Sequence, residues 1–159
     1  SVCQALSLSG EEIEIKNHHP RVASVGLPFL MVEVRSIDAL QKASSVLDFS
    51  KQLNAQGLPF IHVYLRSGSE FDIRSRMFAP FDGMTEDPAT GSANCALAGL
   101  LSELKEEEEG EFSWKIAQGV EMGRPSTLFA RAKKVEGETV KTWIGGNCVQ
   151  IAEGMLQIS

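Results

Sequence analysis

Apolar residues along this chain fall into short dense runs rather than long amphipathic stripes, and most of these runs read as strands. "RVASVGLPFLMVEVR" (Arg21 to Arg35) is rich in Val, Leu and Phe and breaks at Gly26-Leu27-Pro28, which predicts two strands joined by a kink or turn. "PFIHVYLR" (Pro59 to Arg66) and "EFDIRSRMF" (Glu70 to Phe78) flank Ser67-Gly68-Ser69, a hairpin signal. In the second of these, Phe71, Ile73, Ser75 and Met77 alternate with Asp72, Arg74 and Arg76, so one face is expected to be buried and the other wet. Further on, "FSWKIAQG", "STLFARAKKV", "TVKTWIGG" and "CVQIAEGML" are punctuated by Gly119, Gly123, Gly137, Gly145-Gly146 and Gly154 and predict an antiparallel meander of three or four short strands. The helical signals are fewer: a short opening helix, a segment capped by Ser36, and one from Asp48 to Asn54 that ends at Gly57.

The stretch from about Thr90 to Glu107 breaks this pattern. Between Ala93 and Leu104 only Asn94, Ser102 and Glu103 are polar, and apolar residues occupy every side of the helical wheel. A helix apolar all round is buried all round. In a strand-rich chain of 159 residues, a curved sheet wrapped around that helix is the economical way to bury it. The predicted fold is α+β, a mostly antiparallel barrel-like sheet around a central helix, in a single domain over residues 1–159.

Composition narrows the function classes. A content of 43% hydrophobic and 23% charged residues reads as soluble and globular, and a net charge of -6 without a basic cluster argues against nucleic acid. The acidic run Glu106 to Glu111 reads as a solvated helix end running into a turn. Cys3, Cys95 and Cys148 lack metal-site spacing and read as reduced thiols of a cytoplasmic protein, with no metal expected from them. No apolar run approaches the roughly 20 residues of a membrane span, so no membrane partner is expected. The chain begins without Met, which suggests a piece of something longer.

Chemistry concentrates in "MTEDPATGSANCALAGLL", Met84 to Leu101, where two carboxylates precede the buried helix. The first turn of such a helix offers unpaired backbone N–H groups and the positive end of its dipole. The small residues of Thr90-Gly91-Ser92-Ala93 let an anion reach those amides, and Thr90 or Ser92 can add a hydroxyl. The same four residues also fit an ordinary capped helix start. Asp87 is suited to proton transfer if a substrate hydrogen comes within reach, and equally to capping the turn. Glu86 should point the other way, as a structural or solvent-facing group. Arg124, between Gly123 and Pro125, could bind a carboxylate but fits better as part of a turn, and Cys95 reads as a small apolar residue; His18 and His19 read as surface loop residues and His62 as a packed or hydrogen-bonded strand residue.

"MFAPFDGMTEDPATGSANCALAGLL" resembles the signature of the phenazine biosynthesis PhzF-like family, whose members share the diaminopimelate epimerase fold. "VGLPFLMVEVRSIDAL", "QGVEMGRPS" and "GGNCVQIAEGMLQI" are similar to family segments in family order, so the likeness covers nearly the whole chain. It implies a two-lobed protein, each lobe a barrel-like sheet around a helix, that moves protons on a small carboxylic or amino acid without metal or organic cofactor. By that likeness Asp87 and Ser92 are this lobe's catalytic groups, and Thr90, Gly91 and Ser92 bind the substrate carboxylate. The family's "GNPAAV" segment, catalytic glutamate and "GHAT" helix start are absent, so the chain corresponds to the C-terminal lobe alone. At the position of the diaminopimelate epimerase thiol stands Ala89, which speaks against a two-thiol mechanism. The expected partners are a small-molecule carboxylate and either the missing N-terminal lobe or a second copy in a homo-oligomer. The competing expectation is a non-catalytic PhzF-like protein that acts through binding or oligomerisation.

Overall fold

The computed structural model describes residues 1–157 apart from 69 and 82–84. Ser69 of the expected hairpin turn, Met84 at the head of the quoted acidic segment and Ile158 of the last family-like segment therefore lie outside the described residues. In chain order the elements are α1 (Val2–Leu6), a 3₁₀ turn (Gly10–Glu12), β1 (Arg21–Ser24), β2 (Pro28–Glu33), α2 (Ile37–Lys42), α3 (Leu47–Asn54), β3 (Ile61–Arg66) and β4 (Ile73–Phe78). They are followed by β5 (Glu86–Asp87), α4 (Gly91–Glu103), β6 (Gly110–Gln118), β7 (Ser126–Val135) and β8 (Glu138–Gly146).

Local signals account for most of these boundaries. The β1–β2 turn passes through Gly26 at φ 126, a backbone shape that a side chain would strain. Ser36 caps α2 by accepting from the Ala39 amide at 3.1 Å, and Gly57 at φ 77 follows the end of α3.

The strands form one curled sheet in the order β1-β2-β3-β4-β6-β7-β8, with β5 also on β4. Pairing is antiparallel except at β2–β3 and β4–β6. Parallel neighbours need a crossover: α2 and α3 make the first, and α4 lies in the second. The expected meander is thus confined to β6, β7 and β8. Of the three or four strands expected, three are formed, and "CVQIAEGML" is not one of them. Residues 147–157 have no regular structure and are exposed throughout, because no neighbouring strand satisfies their backbone.

Inside the curl, Leu97, Leu101 and the alanines of α4 pack against Phe29, Met31, Tyr64, Ile73, Met77, Ile116 and Leu128. On the outside of β2, β3 and β4 a second cluster sets Leu30, Val32, Ile61, Val63 and Phe78 against Ala5 and Leu6 of α1 and Ala39 and Leu40 of α2. The wet outer face expected for β4 is therefore covered: Arg76 is buried there, and the near-continuous apolar runs of β2 and β3 reflect burial on both sides. β7, by contrast, alternates buried and exposed positions and has a genuinely wet face.

The central helix is shorter than expected and not enclosed on every side. Gly99 is half-buried and Ser92 and Glu103 are exposed, because the curl stays open between β1 and β8 on that side. Both ends of α4 are tied to the sheet. At its C-terminus Lys134 of β7, itself buried, donates to Lys105 O at 2.8 Å, where a cation also meets the negative end of the helix dipole.

Candidate functional site

β5 carries the two carboxylates into position. Its residues pair with the end of β4, Met77 opposite Asp87 and Phe78 opposite Glu86, so neighbouring side chains leave on opposite faces. Glu86 faces the outside, where Arg76 grips it bidentately at 2.9 and 2.7 Å. The same guanidinium donates to the carbonyls of Leu40, Gln41 and Ala43, closing the C-terminal end of α2. Glu86 is a structural residue, as the sequence suggested.

Asp87 faces the other way, toward the start of α4. Thr90 donates its hydroxyl to Asp87 Oδ2 at 2.6 Å and does not cap its own helix. Gln118, the last residue of β6, binds the same turn from the side. Its amide nitrogen donates to Asp87 O at 2.7 Å and to Thr90 Oγ1 at 2.9 Å, and its Oε1 accepts from the Thr90 amide at 3.2 Å. Gln118 Oε1 also accepts from Asn94 Nδ2 at 2.6 Å, while Asn94 gives its other amide hydrogen to Thr90 O. Asn94 Oδ1 is thereby left as an acceptor and lies 3.2 Å from His62 Nε2.

These bonds have one direction. His62 donates to Asn94, Asn94 to Gln118, Gln118 to Thr90, and Thr90 to the Asp87 carboxylate. Asn and Gln amide groups cannot reverse their roles without losing bonds, so the chain is complete only when the aspartate accepts. The chain also makes Nε2 the protonated nitrogen of His62 and leaves Nδ1, which has no hydrogen-bond partner among the described residues, as a bare acceptor. His62 is fully buried, and the loss of solvation lowers its pKa to about 4 despite the opposing bond to Asn94, so the ring is neutral near pH 7. Aligned donors of this kind polarise one another in a low-dielectric interior.

The remaining residues fall around this core. Ser92 is exposed on the first turn of α4, beyond Gly91. A cavity of about 580 Å³ at the same end of the helix is lined by Ala89, Gly91, Thr127, Ile144 and Gly146; Asp87 and Ser92 are not in its lining. Gly119 presses the next turn onto the site: a Cβ there would stand 2.3 Å from Arg124 O and 2.8 Å from Pro88 O. Arg124 belongs to that turn, its amide donating to Gly119 O at 2.9 Å, and its side chain is exposed.

The structure thus brings Asp87 and Thr90 into direct contact, with Gly91 and Ser92 following on the helix. Asn94 and Gln118 were missed by sequence reasoning. Their signal is a lone amide in an apolar run, "SANCALAGLL" and "KIAQG". His18 was also misread. Far from being a surface residue, it is buried with Nε2 2.6 Å from Tyr64 OH, and Tyr64 donates on to Glu33, which Arg66 and Asn17 also hold. That network closes the inner face beyond His62 and does not touch Asp87. Among the described residues, no group of His, Cys, Asp and Glu has the arrangement of a metal site, and no helix is long and apolar enough to cross a membrane.

A family model described as phenazine biosynthesis-like protein matches residues 2–154. The chain is 32% identical over 160 residues to an uncharacterized isomerase of Mesorhizobium japonicum, covering 97% of this chain and 53% of that protein. It is 36% identical over 155 residues to the trans-2,3-dihydro-3-hydroxyanthranilate isomerase of Pseudomonas fluorescens, covering 96% of this chain and 51% of that one. The chain spans about half the length of the curated relatives it matches. Among solved structures, a PhzF-family phenazine biosynthesis protein of Bacillus anthracis shares the fold with a TM-score of 0.73 at 16% identity, over 91% of this chain and 54% of that one. A predicted epimerase of Pseudomonas aeruginosa gives a TM-score of 0.60 at 29% identity, over 94% of this chain and 51% of that one.

Proposed function

This chain belongs to the phenazine biosynthesis-like protein family, and on that premise we propose that it forms one lobe of a cofactor-independent isomerase acting on a small carboxylic or amino acid. The isomerase names of its relatives support the reaction type. The observation that carries the reading is the one-way chain of donors that ends on Asp87 at the mouth of α4. A carboxylate fixed as an acceptor beside a helix start is suited to take up or orient a substrate proton. Because Thr90 is held by Asp87 and Gln118, its hydroxyl does not cover the amides of the first turn. Those amides at Gly91 and Ser92, with the Ser92 hydroxyl, form the seat for a substrate carboxylate.

Proton transfer of this type needs a second group across the substrate, held at the right distance. In this reading the second group comes from a partner lobe, and the chain alone is inactive. The three free cysteines suit a reducing, cytoplasmic setting. A second reading, a non-catalytic protein that works by association, draws support from the exposed apolar residues of 147–157.

The test is exchange of solvent hydrogen into a panel of small amino and cyclic carboxylic acids, by this chain, by a two-lobed parent carrying it, and by the parent's Asp87→Asn variant. Exchange by the parent alone, abolished by Asp87→Asn, is the expected result. Exchange by the isolated chain would overturn the half-site reading, undiminished exchange by Asp87→Asn would remove the role of Asp87, and no exchange at all would favour the second reading.

A further inference from the structure

Two backbone groups that cannot change role dictate which way the Gln118 amide points. The Thr90 N–H can only donate, so the side-chain atom 3.2 Å from it is Oε1. The Asp87 carbonyl can only accept, so the atom 2.7 Å from it is Nε2. Nε2 also donates to Thr90 Oγ1 at 2.9 Å, which turns the hydroxyl proton of Thr90 toward Asp87 Oδ2, 2.6 Å away.

One oxygen of the carboxylate is thereby engaged. Asp87 is half-buried, and among the described residues its Oδ1 takes no hydrogen bond, so the two oxygens are unlike. Gln118 is itself fully buried and is anchored from behind by Asn94 Nδ2 at 2.6 Å, with Asn94 tied to Thr90 O and His62. The end of β6 comes this close because Gly119 has no Cβ, which would stand 2.8 Å from Pro88 O. A glutamate at 118 would bring no donor to these partners, and an asparagine is one methylene too short.

We propose that Gln118 is the positioning residue of the site: acting through the Thr90 hydroxyl, it holds Asp87 Oδ2 and leaves Oδ1 as the oxygen that meets the substrate. This rests on the isomerase reading. It goes beyond that reading by making the two carboxylate oxygens unequal and by giving a residue that touches neither the carboxylate nor the substrate seat an effect on turnover rather than on binding.

The kinetic experiment uses the two-lobed parent and follows solvent-hydrogen exchange in Gln118→Met, Thr90→Val, the double variant and Thr90→Ser, each checked for folding by circular dichroism. Gln118→Met and Thr90→Val should each lower kcat roughly tenfold or more while KM moves by less than about threefold, because the amides of Gly91 and Ser92 are unaltered. The double variant should be little worse than the slower single variant, since both changes act through one hydroxyl. Thr90→Ser should keep most of the rate. In this chain alone, NMR should show slowly exchanging Gln118 side-chain amide and Thr90 hydroxyl protons with a mutual NOE. That spectrum and the Thr90 pair keep the test decisive if Gln118→Met fails to fold.

Unaltered kcat in Gln118→Met, a rise in KM with kcat kept, additive losses in the double variant, or side-chain protons exchanging at solvent rates would overturn the positioning role and leave the isomerase reading standing. A parent that exchanges nothing with Gln118 in place would overturn the isomerase reading, and the positioning role with it.

Discussion

The Thr90 hydroxyl donates to Asp87 Oδ2 at 2.6 Å while accepting from Gln118 Nε2 at 2.9 Å, which ties the first residue before α4 to β5 and β6 at once. Thr90→Val keeps the shape and removes both bonds, leaving the Gln118 amide short of a partner. The expected loss is about 1–3 kcal/mol by urea unfolding, with most of it recovered in Thr90→Ser. A loss under about 0.5 kcal/mol would mean that the turn is held without the hydroxyl.

His62 sets a pH dependence. Burial lowers its pKa in the folded chain to about 4 from the ordinary histidine value of 6.5, so between these values the unfolded chain binds the extra proton and the folded chain does not. Stability linked to His62 is therefore complete above about pH 6.5 and falls as the pH drops toward 4, by a total on the order of 3 kcal/mol. The wild type should lose this amount relative to His62→Gln over that interval in parallel unfolding titrations. Parallel curves for the two proteins would contradict the burial argument.

Arg76 and Glu86 fix β5 from the outside. Arg76→Met leaves a part-buried carboxylate and orphans the carbonyls of Leu40, Gln41 and Ala43, so a loss of roughly 3–5 kcal/mol is expected. Glu86→Gln should cost less, since those carbonyls stay bound. Denaturant unfolding of both single variants and the double variant gives the coupling, and near-additive losses would show that the pair is not the link holding β5.

Gly119 and Gly123 have nearly the same backbone, φ 76 and 74, yet only Gly119 has backbone where a Cβ would go. Gly123→Ala should carry only the left-handed cost of about 1–2 kcal/mol. Gly119→Ala should add a steric loss of similar size or more, together with shifted amide resonances around Pro88 and Thr90. Equal losses for the two variants would mean that the Gly119 turn moves aside freely.

How much of this could be read from the chain depends on whether the deciding interaction is local. The burial of α4, the Ser36 cap, the Gly26 turn and the opposite directions of Glu86 and Asp87 follow from periodicity and backbone preference within a few residues, and all were legible. The family likeness was legible for the same reason, since its motif is one contiguous run. The bond chain that ends on Asp87 was only half legible: Thr90 is three residues away, but Gln118, which bonds Asp87, and His62, which bonds Asn94, come from other strands and meet only when β3 and β6 curl around the helix. Arg76 and His18 were misread because hydrophilicity predicts exposure, whereas a polar side chain is tolerated inside when the fold supplies carbonyls, a carboxylate or a hydroxyl to bind it. "CVQIAEGML" has a strand's composition without being a strand, because a strand is completed by a neighbour's backbone and only the tertiary arrangement decides whether one is there.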